Sequence, residues 1–363
     1  MYALALIGYH FLFFRKVYQN PFILSTAEIA STFFPHWLWM GRKWRMTDDI
    51  YYKYPASIPF LSMFYPSHVI LAYISKFICI DKALILYIWH ILSHFLIGSF
   101  LSYWMFRQWT GETAALFGAI TLTYSGYMIR PQTPCFAFTA AWMPGMFLDG
   151  WNGAFCAAMA ILGGYWPILV YVLPVAAMAN PVCLWGLILA LPQIIPFLWY
   201  WPRSVRHKQK VDRNFGRVPW WKLFDFFIPN YRFKPINGVH FWEHQMYIGI
   251  AILFIWQVSW WWTPLISAVL VLIGYLPSIQ HVPARALYLL TFGLTVLAGK
   301  SEIGVWALFI QSFLLLRNAS LVSFFPFQQW WNRPSKIYPH TDYTGYLRSV
   351  KINDYRGAFA LRA

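Results

Sequence analysis

Charge is what this chain has least of, and negative charge least of all. Asp, Glu, Lys and Arg make up 11% of 363 residues and only 12 are acidic, where a soluble domain carries about a quarter charged. Cysteine is equally sparse. Cys79, Cys135, Cys156 and Cys183 sit in apolar surroundings with no pair at metal-ligand spacing, so they read as small core hydrophobes. A phosphate-cradling glycine loop, a metal-ligand cluster and a nucleophile elbow are all missing from the sequence, which argues against soluble nucleotide chemistry. Nor is a cleavable signal peptide expected, because Met1 to Phe14 has no basic leading region.

What is present in excess is apolar: 59% hydrophobic and 21% aromatic residues, with a mean hydropathy of +0.48. Backbone groups in lipid must find partners inside their own segment or in a closed barrel. A barrel strand alternates apolar and polar residues, whereas the apolar runs here are continuous, so the expectation is an all-α, polytopic membrane protein. After Met1 to Phe14, apolar runs fall at roughly 67–80, 83–106, 114–129, 136–148, 155–173, 183–201, 246–262, 265–275, 286–298 and 304–316. Spanning takes about 20 residues per helix, so ten or eleven transmembrane helices are expected, several of them tilted, broken or re-entrant. Pro131, Pro134, Pro144, Pro167 and Pro174 supply the breaks.

Three polar regions interrupt this pattern: a first long loop at 15–63, a second at 202–245, and a basic, aromatic tail at 328–363. A transmembrane domain over 1–327 is thus followed by a separate tail. Trp37, Trp39, Met40 and Trp44 alternate with Arg42, Lys43 and Arg45, which predicts interfacial helices in the first loop. The three regions hold 21 of the 28 Lys and Arg, and even numbers of spans between them put all three on one face. The positive-inside rule would make that face cytoplasmic; a surface that grips an anionic lipid phosphate is the alternative. A net charge of +16 distributed beside membrane segments points to anionic lipid rather than nucleic acid.

Few residues are placed to do chemistry. Glu28, beside the Phe33-Phe34-Pro35 turn, is a carboxylate near the lipid boundary, where desolvation would raise its proton affinity as a general base requires; Ser25, Thr26 and Glu28 equally resemble a helix start. Asp48 and Asp49 would hold a divalent cation or orient an acceptor, or else form a solvated turn, and no metal-ligand spacing supports the first. His10, His90 and His94 lie on apolar helices, where an imidazole ordinarily bonds across a helix interface. Arg130 and Arg285, in or near apolar runs, each call for an acidic, carbonyl or phosphate partner, with Glu112, Glu243 and Glu302 as the acids at hand.

Read in order, several stretches resemble the YfhO-type bacterial membrane proteins of the GT-C glycosyltransferase superfamily. They are Glu28-Ile-Ala-Ser-Thr-Phe-Phe-Pro35-His-Trp, Pro59-Phe60-Leu61, Phe64-Tyr65-Pro66, His94-Phe95-Leu96-Ile97-Gly98, Tyr124-Ser125-Gly126-Tyr127 and Ala141-Trp142-Met143-Pro144. Ile228-Pro229, Phe241-Trp242-Glu243, Tyr247-Ile248-Gly249 and Val282-Pro283-Ala284-Arg285 leading to Leu297-Ala298-Gly299 complete the series. No single stretch is specific; their shared order over nearly the whole chain carries the resemblance.

The resemblance implies a GT-C-like fold, here a shortened member, in a bacterial cytoplasmic membrane. It implies transfer of a sugar from a polyprenyl-phosphate donor to an acceptor hydroxyl outside the cytoplasm. Glu28 stands where the family usually has Asp as the general base of the first external loop. Arg285, Arg130, Glu243, Asp48, Asp49 and His94 are then the candidates for binding lipid phosphate or acceptor, with no cofactor required unless Asp48 and Asp49 hold a divalent cation. A noncatalytic subunit or lipid carrier, working beside a partner membrane protein, is the competing expectation.

Overall fold

A computed structural model describes residues 1–21, 34, 37, 38, 41, 62–125, 134–200 and 287–331. Among the described residues every regular element is helical, which agrees with the all-α expectation. The longest well-packed element is α4 (Ile80–Arg107, 28 residues), about 42 Å at 1.5 Å per residue. Its sequence explains its ends. Cys79 precedes it in extended conformation, Asp81 lies in the first turn and Arg107 in the last, each on the side the helix dipole favours.

The other elements gather round α4. The helix α1 (Tyr2–Phe13) runs antiparallel to it, because Tyr2 stacks on Tyr103 and Phe14 meets Phe95; α2 (Arg15–Gln19) follows after a break at Phe14. Next, α3 (Pro66–Ile74) opens with Pro66 at its first position, where a missing N–H costs nothing, and passes through a 3-10 turn, Ser75–Phe77, into α4. A tight turn joins α4 to α5 (Glu112–Thr123), and an exposed Arg107–Glu112 ion pair of 2.8 Å sits across it, worth about 0–1 kcal/mol at such a position. Gly118 of α5 faces the Phe106 ring and Gly98 of α4 faces the Ala141 backbone, approaches that a side chain at either glycine would hinder.

Shorter pieces complete the body: α6 (Pro134–Ala140), a 3-10 turn at Pro144–Phe147, α7 (Trp151–Leu162) and α8 (Trp166–Ala179). A 3-10 turn at Pro181–Leu184, α9 (Trp185–Leu189) and α10 (Leu191–Tyr200) come next. Last are α11 (Leu287–Ala298) and α12 (Glu302–Trp331); their connection lies beside the α4–α5 turn, since a Cβ on Gly299 would stand 3.0 Å from Thr110. Asn180 ties the α7 entrance to the α8 exit: its amide donates to the carbonyls of Leu148 (2.6 Å) and Gly150 (3.2 Å), and its oxygen accepts from the Val182 N–H. Asn180→Ala is expected to lower stability by about 1–2 kcal/mol, seen as a lower melting temperature.

Several sequence expectations are corrected. The 155–173 run is two helices parted at Gly163–Tyr165, and 183–201 is broken, its halves 181–189 and 191–199 bent by 66°. Run 67–80 holds only residues 67–74 of the nine-residue α3 and a 3-10 turn before the chain reverses. Pro134, Pro144 and Pro167 sit at element starts, but Pro174 lies inside α8 without ending it. Trp37, expected at the interface, is fully buried against Phe34 and Tyr87, because its indole N–H finds the His68 carbonyl at 3.0 Å. Cys79 is exposed, unlike the other three cysteines. Helix α12 runs from Glu302 to Trp331. Glu112 pairs with Arg107.

Candidate functional site

At the middle of α4 the helical body is interrupted in several places at once. Three breaks meet there: the turn Ser62–Tyr65, the gap Gly163–Tyr165 between α7 and α8, and the Ala190 bend. Backbone groups freed among packed helices need partners, and those that end α7 have them. The carbonyls that end α7 are taken by side chains from four directions. The Thr139 hydroxyl donates to Ala160 O (3.0 Å), Gln193 Nε2 and Trp166 Nε1 both donate to Ile161 O (3.0 Å each), and the Ser62 hydroxyl donates to Gly163 O (2.6 Å). Returning bonds run from the Tyr165 N–H to Thr139 Oγ1 and from the Phe64 N–H to Gln193 Oε1. Gly164 adopts φ +91°, a conformation that glycine reaches without strain.

Against this junction α4 sets two imidazoles one helical turn apart, His90 and His94, both buried. Positions i and i+4 share a face, and the same face meets His68 of α3, Tyr65 of the turn and Phe138 of α6. The imidazole centroids are 4.7 Å apart for His90 and His94 and 5.8 Å for His68 and His90. Phe138 stacks on Tyr65 and lies 4.7–4.8 Å from the His90 and His94 rings.

The bonding fixes the tautomer of His94. Its Nδ1 lies 2.6 Å from the His90 carbonyl oxygen, which can only accept, so Nδ1 carries the proton. In the neutral ring Nε2 is then an acceptor, and the Tyr65 hydroxyl donates to it at 2.6 Å. The Tyr65 oxygen in turn accepts from Trp142 Nε1–H, also at 2.6 Å. Donation thus runs one way, Trp142 to Tyr65 to His94 to the His90 carbonyl, through three elements distant in sequence. The ring Nε2 of His90 is buried and has no hydrogen-bond partner among the described residues, a costly state for a polar atom.

A fourth buried imidazole, apart from the other three, holds the exit of α1. His10 lies between two hydroxyls, Tyr124 at 3.0 Å on Nδ1 and Tyr18 at 2.8 Å on Nε2. Burial pushes the Tyr18 hydroxyl up to about 12, so it remains protonated and available to donate.

Of the residues singled out in the sequence, His94 falls at the centre of the junction. Glu28, Asp48, Asp49, Arg130, Glu243 and Arg285 lie outside the described residues. Among the described residues, His, Cys, Asp and Glu form no group of three able to hold a metal ion. Sequence reasoning gave no role to Tyr65, His68, Trp142 or Gln193. The spacing of His90 and His94 and the Gly163-Gly164 pair were the available signals for them.

No family model matches the chain, and neither a curated protein nor a solved structure matches it.

Proposed function

We propose that the chain is a polytopic bacterial inner-membrane glycosyltransferase of the GT-C type, with ten or eleven spans, that moves a sugar from a polyprenyl-phosphate donor to an extracytoplasmic acceptor hydroxyl. The observation that carries this reading is a convergence. Three stretches that resemble the family, 64–66, 94–98 and 141–144, are separated by tens of residues, yet Tyr65 bonds both His94 and Trp142 and Gly98 packs on Ala141. Membrane residence draws support from α4, the one described helix long and apolar enough to cross by itself, from the bent pair 181–189 and 191–199, and from five shorter apolar helices. It also draws on the surface, where Leu4, Trp104, Val170, Met178, Ile195, Trp199 and many other large apolar side chains are exposed, far beyond the patches a soluble monomer tolerates.

In this mechanism the Glu28 carboxylate takes the acceptor hydroxyl proton as the new glycosidic C–O bond forms. The bond from the sugar C1 to the phosphate oxygen breaks, and the phosphate leaves with its electron pair, its charge held by Arg285 and Arg130. Asp48, Asp49 and Glu243 orient the acceptor, or the two aspartates hold a divalent cation. Glu28→Gln is expected to abolish transfer from a polyprenyl-phosphate sugar, a loss of about a hundredfold or more, with an unchanged melting temperature. Full activity in that variant would remove Glu28 from the reaction.

One observation favours the noncatalytic reading: the space round His94 is filled by Tyr65, Phe138 and His90. Mass spectrometry of copurifying lipid separates a bare scaffold from the other two, since a bound polyprenyl phosphate is expected of the transferase or a carrier, and the Glu28→Gln assay then separates transferase from carrier.

A further inference from the structure

The helix α3 is apolar on the wrong side for a soluble protein. The inner face of α3 and of the 3-10 turn that extends it, His68, Ala72 and Ser75, is buried, yet Ile70, Tyr73 and Ile74, at the i, i+3, i+4 spacing of one helical stripe, are 59%, 57% and 42% exposed, and Phe77 of the turn is 73% exposed. The helix stands alongside the first half of α4 and antiparallel to it. Tyr65 meets His94, His68 meets His90 and Tyr87, and the chain turns back at Ile80. The stripe therefore descends from the level of the histidine junction to the start of α4. At its lower end it acquires positive charge and aromatic rings together. Lys76 Nζ lies 4.2 Å from the Tyr73 ring centroid, Tyr73 packs edge-on against Phe77, and Lys82 is exposed in the first turn of α4. Asp81 is the acid beside them, placed where the α4 dipole favours a carboxylate.

We infer that this end of α3 is a binding site for the phosphate headgroup of a membrane lipid, with Lys76 and Lys82 as the cations, Tyr73 and Phe77 at the interface and Ile70 in the hydrocarbon. The residue chemistry is that of an interface anchor: an amphipathic ring lies at headgroup level, and a lysine stem runs along apolar surface to place its ammonium in the polar layer. An exposed stripe on one rim of α3 with cations at only one end is matched by a phosphate above an acyl chain, and by neither water nor a wholly apolar partner. The cation–π contact keeps the Lys76 ammonium at that edge.

The inference rests on the membrane reading, and the test separates the two. Cys79 is the exposed thiol of the four, so a nitroxide on the full-length protein reports the α3–α4 connection directly. In nanodiscs of phosphatidylcholine with phosphatidylglycerol, oxygen and nickel-chelate accessibilities are expected to place Cys79 and, in a Cys79→Ala background, Phe77→Cys at phosphate depth, with Ile70→Cys deeper. Native mass spectrometry is expected to show retained phosphatidylglycerol, which falls about fivefold for each of Lys76→Gln and Lys82→Gln. Labels at Phe155→Cys and Ile188→Cys serve as references. If these read as hydrocarbon while Cys79 and Phe77→Cys read as bulk water or bilayer centre, the headgroup site is wrong and the membrane reading stands. Should the references read as water as well, both fall. Unchanged phosphatidylglycerol retention in the double lysine variant also overturns the site.

Discussion

Gly163→Ala is expected to lower stability by about 3 kcal/mol, at the upper end of what overpacking costs. A Cβ there would stand 2.6 Å from the Thr139 nitrogen and 2.8 Å from the Phe138 carbonyl carbon. Both are backbone atoms of a segment fixed by its own bonds, so neither can turn aside as a side chain would. Relief requires the end of α7 to move away from the 138–139 segment, and that movement also stretches the Ser62 bond to the Gly163 carbonyl and the Thr139 bond to Ala160. In a Cys79→Ala background, which removes the exposed thiol, a thiol-reactive dye reads the effect, because Cys135, Cys156 and Cys183 are buried until the body opens. Gly8→Ala is the matched control: nothing lies within 4 Å of its Cβ, and the exchange should be neutral or stabilising by about 0.5–1 kcal/mol. Equal melting of the two variants would mean that Gly163 is not packed as described.

Tyr65→Phe is expected to cost about 3 kcal/mol although the ring is kept. The hydroxyl is the one atom that both accepts from Trp142 Nε1 and donates to His94 Nε2, and its loss strands a donor and an acceptor together in a buried place. Each orphaned group costs about 1–3 kcal/mol. The double variant Tyr65→Phe with His94→Leu removes one of the stranded partners, so it should fall short of the sum of the single effects. A coupling energy of about 1 kcal/mol or more between the two is expected from a double-mutant cycle. Strict additivity would show that the bond contributes nothing.

The all-α character and the course of α4 were legible because nothing interrupts the 83–106 run, and the helix at Ile80–Arg107 overshoots it only slightly. The other long runs hid their breaks. Apolar residues fill both sides of Gly163-Gly164, so hydropathy alone ran 155–173 together, while the glycine pair recorded the close approach to Thr139. Pro174 misled in the other direction. A proline in an apolar helix marks a break only when its freed carbonyl lacks a substitute partner, and α8 carries it through. Trp37 was read from its neighbours Arg42, Lys43 and Arg45, a local pattern that says nothing of the His68 carbonyl waiting to accept its N–H. The junction itself was half visible. His94 could be picked out as a polar residue on an apolar helix, but Tyr65 and Trp142 lie 29 and 48 positions away from it and become its neighbours only through the return of the chain at α3 and the turn after α6.

The length of α4 has a bearing on how the junction is set in its surroundings. In the membrane placement proposed above, a helix of about 42 Å exceeds a hydrocarbon layer of about 30 Å, so the excess would be taken up by tilt or by emergence at one end. His94 is fixed to that rod, so under the same proposal its depth and the angle at which neighbouring pieces meet it would follow bilayer thickness. A change of lipid chain length would then be a mechanical input to the same bonds that hold the imidazole in place.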